Sequence, residues 1–89
     1  MNTSALWEVR VGASARKSLE AIPPADRARI EAALMEMAVN PFQGDIKALR
    51  GAEKMFRRRV GPWRIFFFRI HNERRINVTA IERRTSTTY

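Results

Sequence analysis

The sequence contains no cysteine and only one histidine. Without cysteine, the fold cannot depend on disulfide bonds or on thiolate metal ligands. His71 lies between two predicted strands, which is more typical of a solvated turn residue than of a catalytic base. The acidic side chains are scattered and form no paired-carboxylate site. We therefore expect neither a metal nor another cofactor.

Long apolar runs are also missing. None approaches the ~20 residues that are needed to span a bilayer. Residues 1–8 lack the basic segment and the apolar stretch of a secretory signal peptide. With 89 residues, of which 45% are hydrophobic, the chain predicts one small globular domain over residues 1–89. We expect a cytoplasmic protein that has no membrane partner.

Acidic residues are scarce in one half of the chain. Residues 47–89 carry 12 basic and 3 acidic side chains, a net charge of +9, whereas residues 1–46 carry 5 basic and 6 acidic ones, a net charge of −1. Such a concentration of positive charge indicates a polyanionic partner, and nucleic acid is the leading candidate. The alternative is a solvated basic surface that binds no ligand.

The chain begins with a pattern typical of a strand followed by a short helix. Trp7, Val9 and Val11 alternate with other side chains, which predicts a strand that turns these three residues toward the core. Ser14 is a candidate N-cap for a helix that ends near Ile22. Two prolines then separate this helix from the next.

The second predicted helix begins at Pro24 and is amphipathic. Its apolar residues recur at helical spacing, and it ends at Asn40 because a proline follows. We assign both Met35 and Met37 to the core. The two helices should form an antiparallel pair.

The second half of the chain predicts a loop and three strands. The segment from 42 to 54 contains two glycines and predicts a loop. Alternation and aromatic content predict strands over Met55–Val60, Trp63–Ile70 and Arg75–Glu82, with the aromatic one in the centre. The predicted fold class is α+β, in the order β-α-α-β-β-β. A helical hairpin packs on one face of a small curved, mainly antiparallel sheet.

Strand alternation brings several arginines together. Arg57 and Arg59 share the face that the helices leave open, and we assign Arg64 and Arg83 to the same face of the neighbouring strands. Four converging guanidiniums repel one another unless an anion neutralises them, and phosphate suits arginine because it accepts two hydrogen bonds at once. Arg58 falls on the helix-covered face, where it needs an acidic partner or a route to the sheet edge.

Several short motifs are spread along nearly the whole chain. Residues 49–51 form a Leu-x-Gly motif, and residues 55–67 form a basic strand that leads through a Gly-Pro-aromatic-Arg turn into an apolar strand. Residues 83–89 form an arginine-rich stretch that ends in tyrosine, and residues 15–19, 22–24 and 40–41 belong to the predicted helical hairpin. In their order and spacing, these motifs resemble those of the RelE/ParE superfamily of bacterial toxins.

The resemblance implies the toxin of a type II toxin–antitoxin system, and two activities occur in the superfamily. RelE-like members are metal-free endoribonucleases that cut mRNA in the ribosomal A site and so inhibit translation, which is the activity we favour. ParE-like members inhibit DNA gyrase and have no nuclease activity. Either activity implies an acidic antitoxin as partner. A basic nucleic-acid-binding module without toxicity is the third hypothesis.

For the nuclease, the resemblance implies catalytic roles for a set of residues: Arg57, Arg59, Arg64, Arg83 and Tyr89. Arg64 and Arg83 would stabilise the charge of the phosphorane, and Tyr89 would move a proton or stack on a base. Arginine is a poor base because its pKa exceeds about 12, so Arg57 and Arg59 would clamp the phosphate electrostatically. Four further basic residues are assigned to substrate binding: Lys47, Arg50, Lys54 and Arg84.

Overall fold

The computed structural model describes residues 6–49 and 55–83. The elements in chain order are β1 (Glu8–Val11), α1 (Ala13–Ala21), α2 (Pro24–Val39), β2 (Ile46–Ala48), β3 (Met55–Val60), β4 (Trp63–Ile70) and β5 (Arg75–Arg83). A 3-10 turn over His71–Glu73 joins β4 to β5. Both helices lie between β1 and β2 in the sequence, as predicted.

The five strands form one sheet in the order β1-β5-β4-β3-β2. Neighbouring strands pair antiparallel, except at one edge, where β1 lies parallel to β5. A parallel pair requires a crossover connection, and most of the chain, including both helices, lies between these two strands. β4 is the central strand, as its aromatic content predicted. The predicted α+β class is confirmed.

The core lies between the helices and one face of the sheet. Its buried hydrophobic residues come from both layers: Trp7, Ala15, Ile22, Ile30, Ala33, Leu34, Met37, Ile65, Phe67, Ile76, Val78 and Ile81. Val9 and Val11 pack against this core, so the predicted inward face of the first strand is confirmed. Met37 is buried as predicted, but the prediction for Met35 is wrong, because that side chain faces solvent.

The first helix begins earlier than the sequence predicted. Gly12 is its N-cap and Ser14 lies within the first turn, so the assignment of Ser14 as N-cap is wrong. The backbone N–H of Gly12 donates to the carbonyl of Val78 at 2.9 Å, which ties the end of β1 to β5. A β-carbon at Gly12 would lie 3.2 Å from the same carbonyl oxygen, so this close approach favours glycine. Tertiary pairing therefore decides where the helix starts.

The predicted loop over residues 42 to 54 contains a short strand. Ile46–Ala48 pairs with β3, so the sheet has five strands and not four. Three residues are too few to show an alternation pattern, and the strand forms because β3 offers it an unpaired edge. Gly44, with φ of 108°, provides the turn that leads into it.

An irregularity in β5 changes which of its residues face the helices. Phe66 pairs with Ala80, and Phe67 pairs with Val78, so Thr79 is an extra residue on this strand. A β-bulge of this kind reverses the alternation of the residues that follow it. Even-numbered residues of β5 therefore face the helices before the bulge, and odd-numbered residues face them after it.

Arg58 crosses the helix-covered side of the sheet to reach α2. Its guanidinium donates to the carbonyl of Ala33 at 3.2 Å and forms an ion pair with Glu36. Gly44 lies directly against it, since a β-carbon there would come within 2.9 Å of the guanidinium carbon. The acidic partner that Arg58 needs on this face is therefore supplied by the chain itself.

Candidate nucleic-acid interface

The face of the sheet that the helices leave uncovered carries the predicted positive charge. Because Arg58 turns toward α2, Arg57 and Arg59 turn the opposite way. Residues paired across adjacent strands share a face, which places Lys47 beside Arg57 and Arg64 beside Arg59. We call this side the open face, and we call Lys47, Arg57, Arg59 and Arg64 the basic cluster.

The basic cluster is compact. Directly opposed residues in an antiparallel pair have Cβ atoms about 4.5–5.5 Å apart, and the next residue on the same face of a strand is about 7 Å away. Two like charges separated by about 7 Å repel by about 2 kcal/mol at an effective dielectric constant of about 20, before salt screening. A bound anion would relieve this repulsion for several residues at once.

The carboxylate of Asp45, which directly precedes β2, lies beside the basic cluster. Oδ2 of Asp45 is 3.9 Å from Nε of Arg59, and the backbone carbonyl of Asp45 accepts the backbone N–H of Arg59 at 3.0 Å. The side-chain contact is too long for a hydrogen bond and acts as an ion pair. Asp45 is exposed, so its carboxylate orients Arg59 without neutralising the other three cations.

The Nε atoms of three arginines in the basic cluster are shielded from solvent. In the described parts of the chain, Nε of Arg57, Arg59 and Arg64 donates no hydrogen bond, although that of Arg59 takes part in the ion pair with Asp45. The same state is found at Arg27, Arg58 and Arg69, which lie elsewhere, so it does not distinguish the open face. A phosphate would instead bind the Nη atoms, which are the remaining donors of each guanidinium.

Aromatic rings lie among these cations. Phe66 pairs with Arg57 across the strands, and Phe68 pairs with Met55, so both rings share the open face. Both are only partly buried. Exposed aromatic rings beside guanidiniums stack with unpaired nucleobases. The open face thus combines charge for a phosphate backbone with rings for bases.

A concavity lies at the β2 edge of the basic cluster. Its volume is about 570 Å³, and Lys47, Ala48, Leu49 and Arg57 line it. This volume falls within the range of about 300–1,000 Å³ that is common for small-ligand sites. It places an open space beside two of the four cations, as a bound nucleotide requires.

Arg83 does not join the basic cluster. Beyond the bulge at Thr79, Arg83 pairs with Trp63 on the helix-covered side, and its guanidinium carbon lies 5.9 Å from the indole centroid. The prediction that Arg83 converges with Arg64 is wrong for this reason. The residue that pairs with Arg64 is Glu82, which uninterrupted alternation had turned to the other face. Only recognition of the bulge could have identified Glu82 in the sequence.

Four predicted site residues lie outside the described residues: Arg50, Lys54, Arg84 and Tyr89. Their roles stay predictions. Of the residues assigned to substrate binding, Lys47 is the one that the structure describes, and it lies on the open face.

Arg69 belongs to the helix-covered side of the sheet. Its guanidinium carbon lies 3.8 Å from the ring centroid of Phe56 and 4.3 Å from that of Phe42, and it donates to the carbonyl of Pro41 at 3.3 Å. Burial lowers the pKa of Arg69. His71 is exposed and its ring contacts Phe42, so it lies with this group and not with the basic cluster. These contacts hold the segment after α2 against the sheet.

In the described residues, no group of three or more potential metal ligands lies together. Neither α1 nor α2 is long and apolar enough to cross a membrane.

Comparison with known proteins gives a match in structure but not in sequence. No family model and no curated protein matches the chain. The RelBE2 toxin–antitoxin complex of Mycobacterium tuberculosis matches with a TM-score of 0.79 and 22% identity, over 89% of this chain and 92% of that one. The RelE–RelB complex of Pyrococcus horikoshii matches with a TM-score of 0.81 and 18% identity, over 92% and 99%. The isolated Escherichia coli RelE toxin matches with a TM-score of 0.79 and 15% identity, over 92% and 88%.

The chain has the fold of RelE toxins. These matches cover most of both chains, so the RelE-type fold accounts for the whole domain. The fold that the sequence resemblance implied is thereby confirmed. Within it, the basic cluster occupies the strands β2, β3 and β4, on the side away from both helices.

Proposed function

We propose that this chain is the toxin of a type II toxin–antitoxin system and a ribosome-dependent mRNA endoribonuclease. The observation that carries the proposal is the basic cluster, in which Arg57, Arg59 and Arg64 lie beside phenylalanine rings on the open face. The toxin part is supported by the RelE-type fold, since the matched structures are RelE toxins alone or with RelB antitoxins. The nuclease part is supported by the residues of the cluster.

The proposed reaction is an attack of a ribose 2′-oxygen on the adjacent phosphorus. A bond forms between them, the bond to the 5′-oxygen breaks, and a 2′,3′-cyclic phosphate remains. Arg57 and Arg59 bind the phosphate from one strand, and Arg64, opposite Arg59, can reach the same group from the next. Negative charge grows on the phosphorane oxygens in the transition state, and removing one preorganised donor typically costs about 10²–10³ in rate.

Proton transfer requires groups other than arginine, because guanidinium does not deprotonate readily. Glu82 pairs with Arg64 across the strands, so its carboxylate can accept the proton of the 2′-OH. Tyr89, which the family resemblance implies as a catalytic residue, would protonate the leaving 5′-oxygen. This assignment adds Glu82 to the set that the sequence suggested and moves Arg83 out of contact with the phosphate.

The open face also indicates the chemistry of the antitoxin that would bind it. An acidic antitoxin segment could neutralise the basic cluster and cover the rings of Phe66 and Phe68. Binding of antitoxin and of mRNA would then be mutually exclusive. An antitoxin partner is supported by the matched structures, since two of them are complexes of RelE-type toxins with their antitoxins.

Cleavage of mRNA on programmed ribosomes tests the function directly. Purified chain should cut mRNA in the A site, and Arg64→Ala should lower the cleavage rate by about 10²–10³. Arg16→Ala is the matched control, because it removes the same charge from an exposed position on α1. Its cleavage rate should stay within about twofold of the parent. No cleavage by the parent, or equal losses in both variants, contradicts the assignment.

One observation favours a ParE-like activity as the second candidate. In the described parts of the chain, the predicted nuclease residues on the open face are arginines that bind charge but do not abstract protons, and Arg83 lies elsewhere. Pulse labelling after induction separates the two functions. Early loss of protein synthesis supports the nuclease, whereas DNA damage with intact protein synthesis supports inhibition of gyrase.

A further inference from the structure

Helix α2 carries a second apolar stripe on the side away from the sheet. Its buried residues face the core, and at 100° per residue the centre of the second stripe lies about 180° from them. Five residues form this outer stripe, and all are exposed: Ala25, Ala28, Ala32, Met35 and Val39. Their spacings alternate between 3 and 4 residues, as the a and d positions of a coiled coil do.

The large exposed hydrophobic side chains of the described residues gather around the C-terminal end of this helix. They are Leu6, Met35, Val39 and Phe42, with exposures of 52%, 72%, 67% and 55%. Leu6 precedes Trp7, whose backbone N–H donates to the carbonyl of Ala38 at 2.7 Å. The ring of Trp7 contacts that of Phe42. Exposed apolar groups gathered in this way indicate an interaction surface.

The outer stripe is self-complementary in size. Its first three residues are alanines and the last two are larger. If two copies pair antiparallel about a twofold axis midway between Ala32 and Met35, Ala32 faces Met35 of the second copy and Ala28 faces Val39. The twofold axis generates each contact twice. A small side chain therefore faces a large one in each of these layers, which lets the two helices approach closely.

The charged residues beside the outer stripe favour the same antiparallel alignment of the two helices. Arg29 and Glu36 flank the outer stripe on one edge, and the antiparallel pairing brings Arg29 of each copy to Glu36 of the other. Both side chains are mostly exposed, although Glu36 also contacts Arg58 and Arg29 also contacts Asp26. A parallel pairing would instead place Glu31 against Glu36 and so oppose like charges.

We propose that this chain self-associates through the outer stripe of α2, with a second copy in antiparallel orientation as the occupant. α2 has 16 residues and is about 24 Å long. Two such helices bury less than the ~1,200 Å² found at the lower end of stable interfaces, so the dimer is weak and depends on concentration. The open face lies on the other side of the sheet, so the dimer leaves the basic cluster accessible. The proposal is independent of the proposed nuclease activity.

Sedimentation equilibrium over a range of protein concentrations tests the proposal. The parent chain should show a monomer–dimer equilibrium, and Met35→Glu should raise the dissociation constant at least about tenfold, because it places a charge in two layers of the interface. Lys47→Gln is the control, since it changes the net charge equally on the opposite side of the sheet. Circular dichroism checks that each variant is folded. A monomeric parent, or a dimer that Met35→Glu leaves unchanged, overturns the proposal.

Charge reversal tests the orientation of the two copies. Arg29→Glu and Glu36→Arg should each weaken self-association, because each opposes like charges in the homodimer. An equimolar mixture of the two variants should dimerise again, since both pairs then have opposite charges. Arg29→Glu should also weaken the dimer more than Arg29→Ala, a comparison that leaves the contact between Glu36 and Arg58 unchanged. Absence of recovery in the mixture of folded variants overturns the antiparallel arrangement, and equal effects of Arg29→Glu and Arg29→Ala do the same.

Discussion

Replacement of Arg58 separates the contribution of packing from that of charge in this small domain. Its side chain is only 11% exposed, whereas that of its ionic partner Glu36 is 66% exposed. The guanidinium also donates to the carbonyl of Ala33. Loss of a hydrogen bond from a charged group costs about 1.5–3 kcal/mol, and loss of the buried aliphatic stem adds about 1–2 kcal/mol. We therefore expect Arg58→Ala to lower the free energy of unfolding by about 2.5–5 kcal/mol.

Two companion variants separate the contributions of the aliphatic stem and of the ion pair to this loss of stability. Arg58→Met keeps the stem and loses only the hydrogen bond, so it should cost about 1.5–3 kcal/mol. Glu36→Gln removes the charge of a solvent-exposed partner, so it should cost less than about 1 kcal/mol. Urea unfolding followed by circular dichroism gives the three values, provided that the slope m does not change. The reasoning is refuted if Glu36→Gln destabilises as much as Arg58→Ala, or if Arg58→Ala costs less than about 1 kcal/mol.

Three further predictions concern the site and the sheet edge. Arg83→Ala should cleave mRNA at least about ten times faster than Arg64→Ala, because Arg83 lies on the other side of the sheet. Equal cleavage rates of the two variants would argue against the bulge. Glu82→Gln should lower the cleavage rate by about 10²–10⁴ while leaving the thermal midpoint unchanged, and retention of full rate excludes it as the base. The hydrogen bond from Arg10 lowers the pKa of Glu8, so the resulting stability is present above about pH 4.3 and is lost as the pH falls further. Glu8→Gln should therefore lose less stability than the parent on acidification from about pH 5 to pH 3, and parallel losses would show that the contact is too exposed to matter.

Much of the fold follows from local patterns in the sequence. The bounds of β3 and β4 agree with prediction, because Gly61 and Pro62 separate the two strands. α2 also agrees, since prolines fix both of its ends and its inward stripe repeats at helical spacing. On the open face, Arg57, Arg59 and Arg64 lie together because strand alternation is strict in β3 and β4.

The remaining features depend on contacts between distant residues. β2 exists because β3 has a free edge, and its own three residues carry no recognisable pattern. The bulge at Thr79 reverses the alternation that had placed Arg83 on the open face, and nothing in the local sequence marks it. The prediction for Met35 is wrong because its angular position on α2 turns the side chain away from the sheet, although methionine is usually buried.

The parallel pairing of β1 and β5 constrains the order in which the molecule can assemble during translation. Val9 of β1 pairs with Ile76 of β5, so β1 cannot join the sheet until β5 has been synthesised. Until β5 has been synthesised, the inward faces of both helices lack Ile76, Val78 and Ile81, which close the core. Contacts between residues so far apart in sequence also slow folding. A nascent chain truncated before β5 therefore cannot complete the core between the helices and the sheet. The strands that carry the basic cluster become fixed in place only late in synthesis.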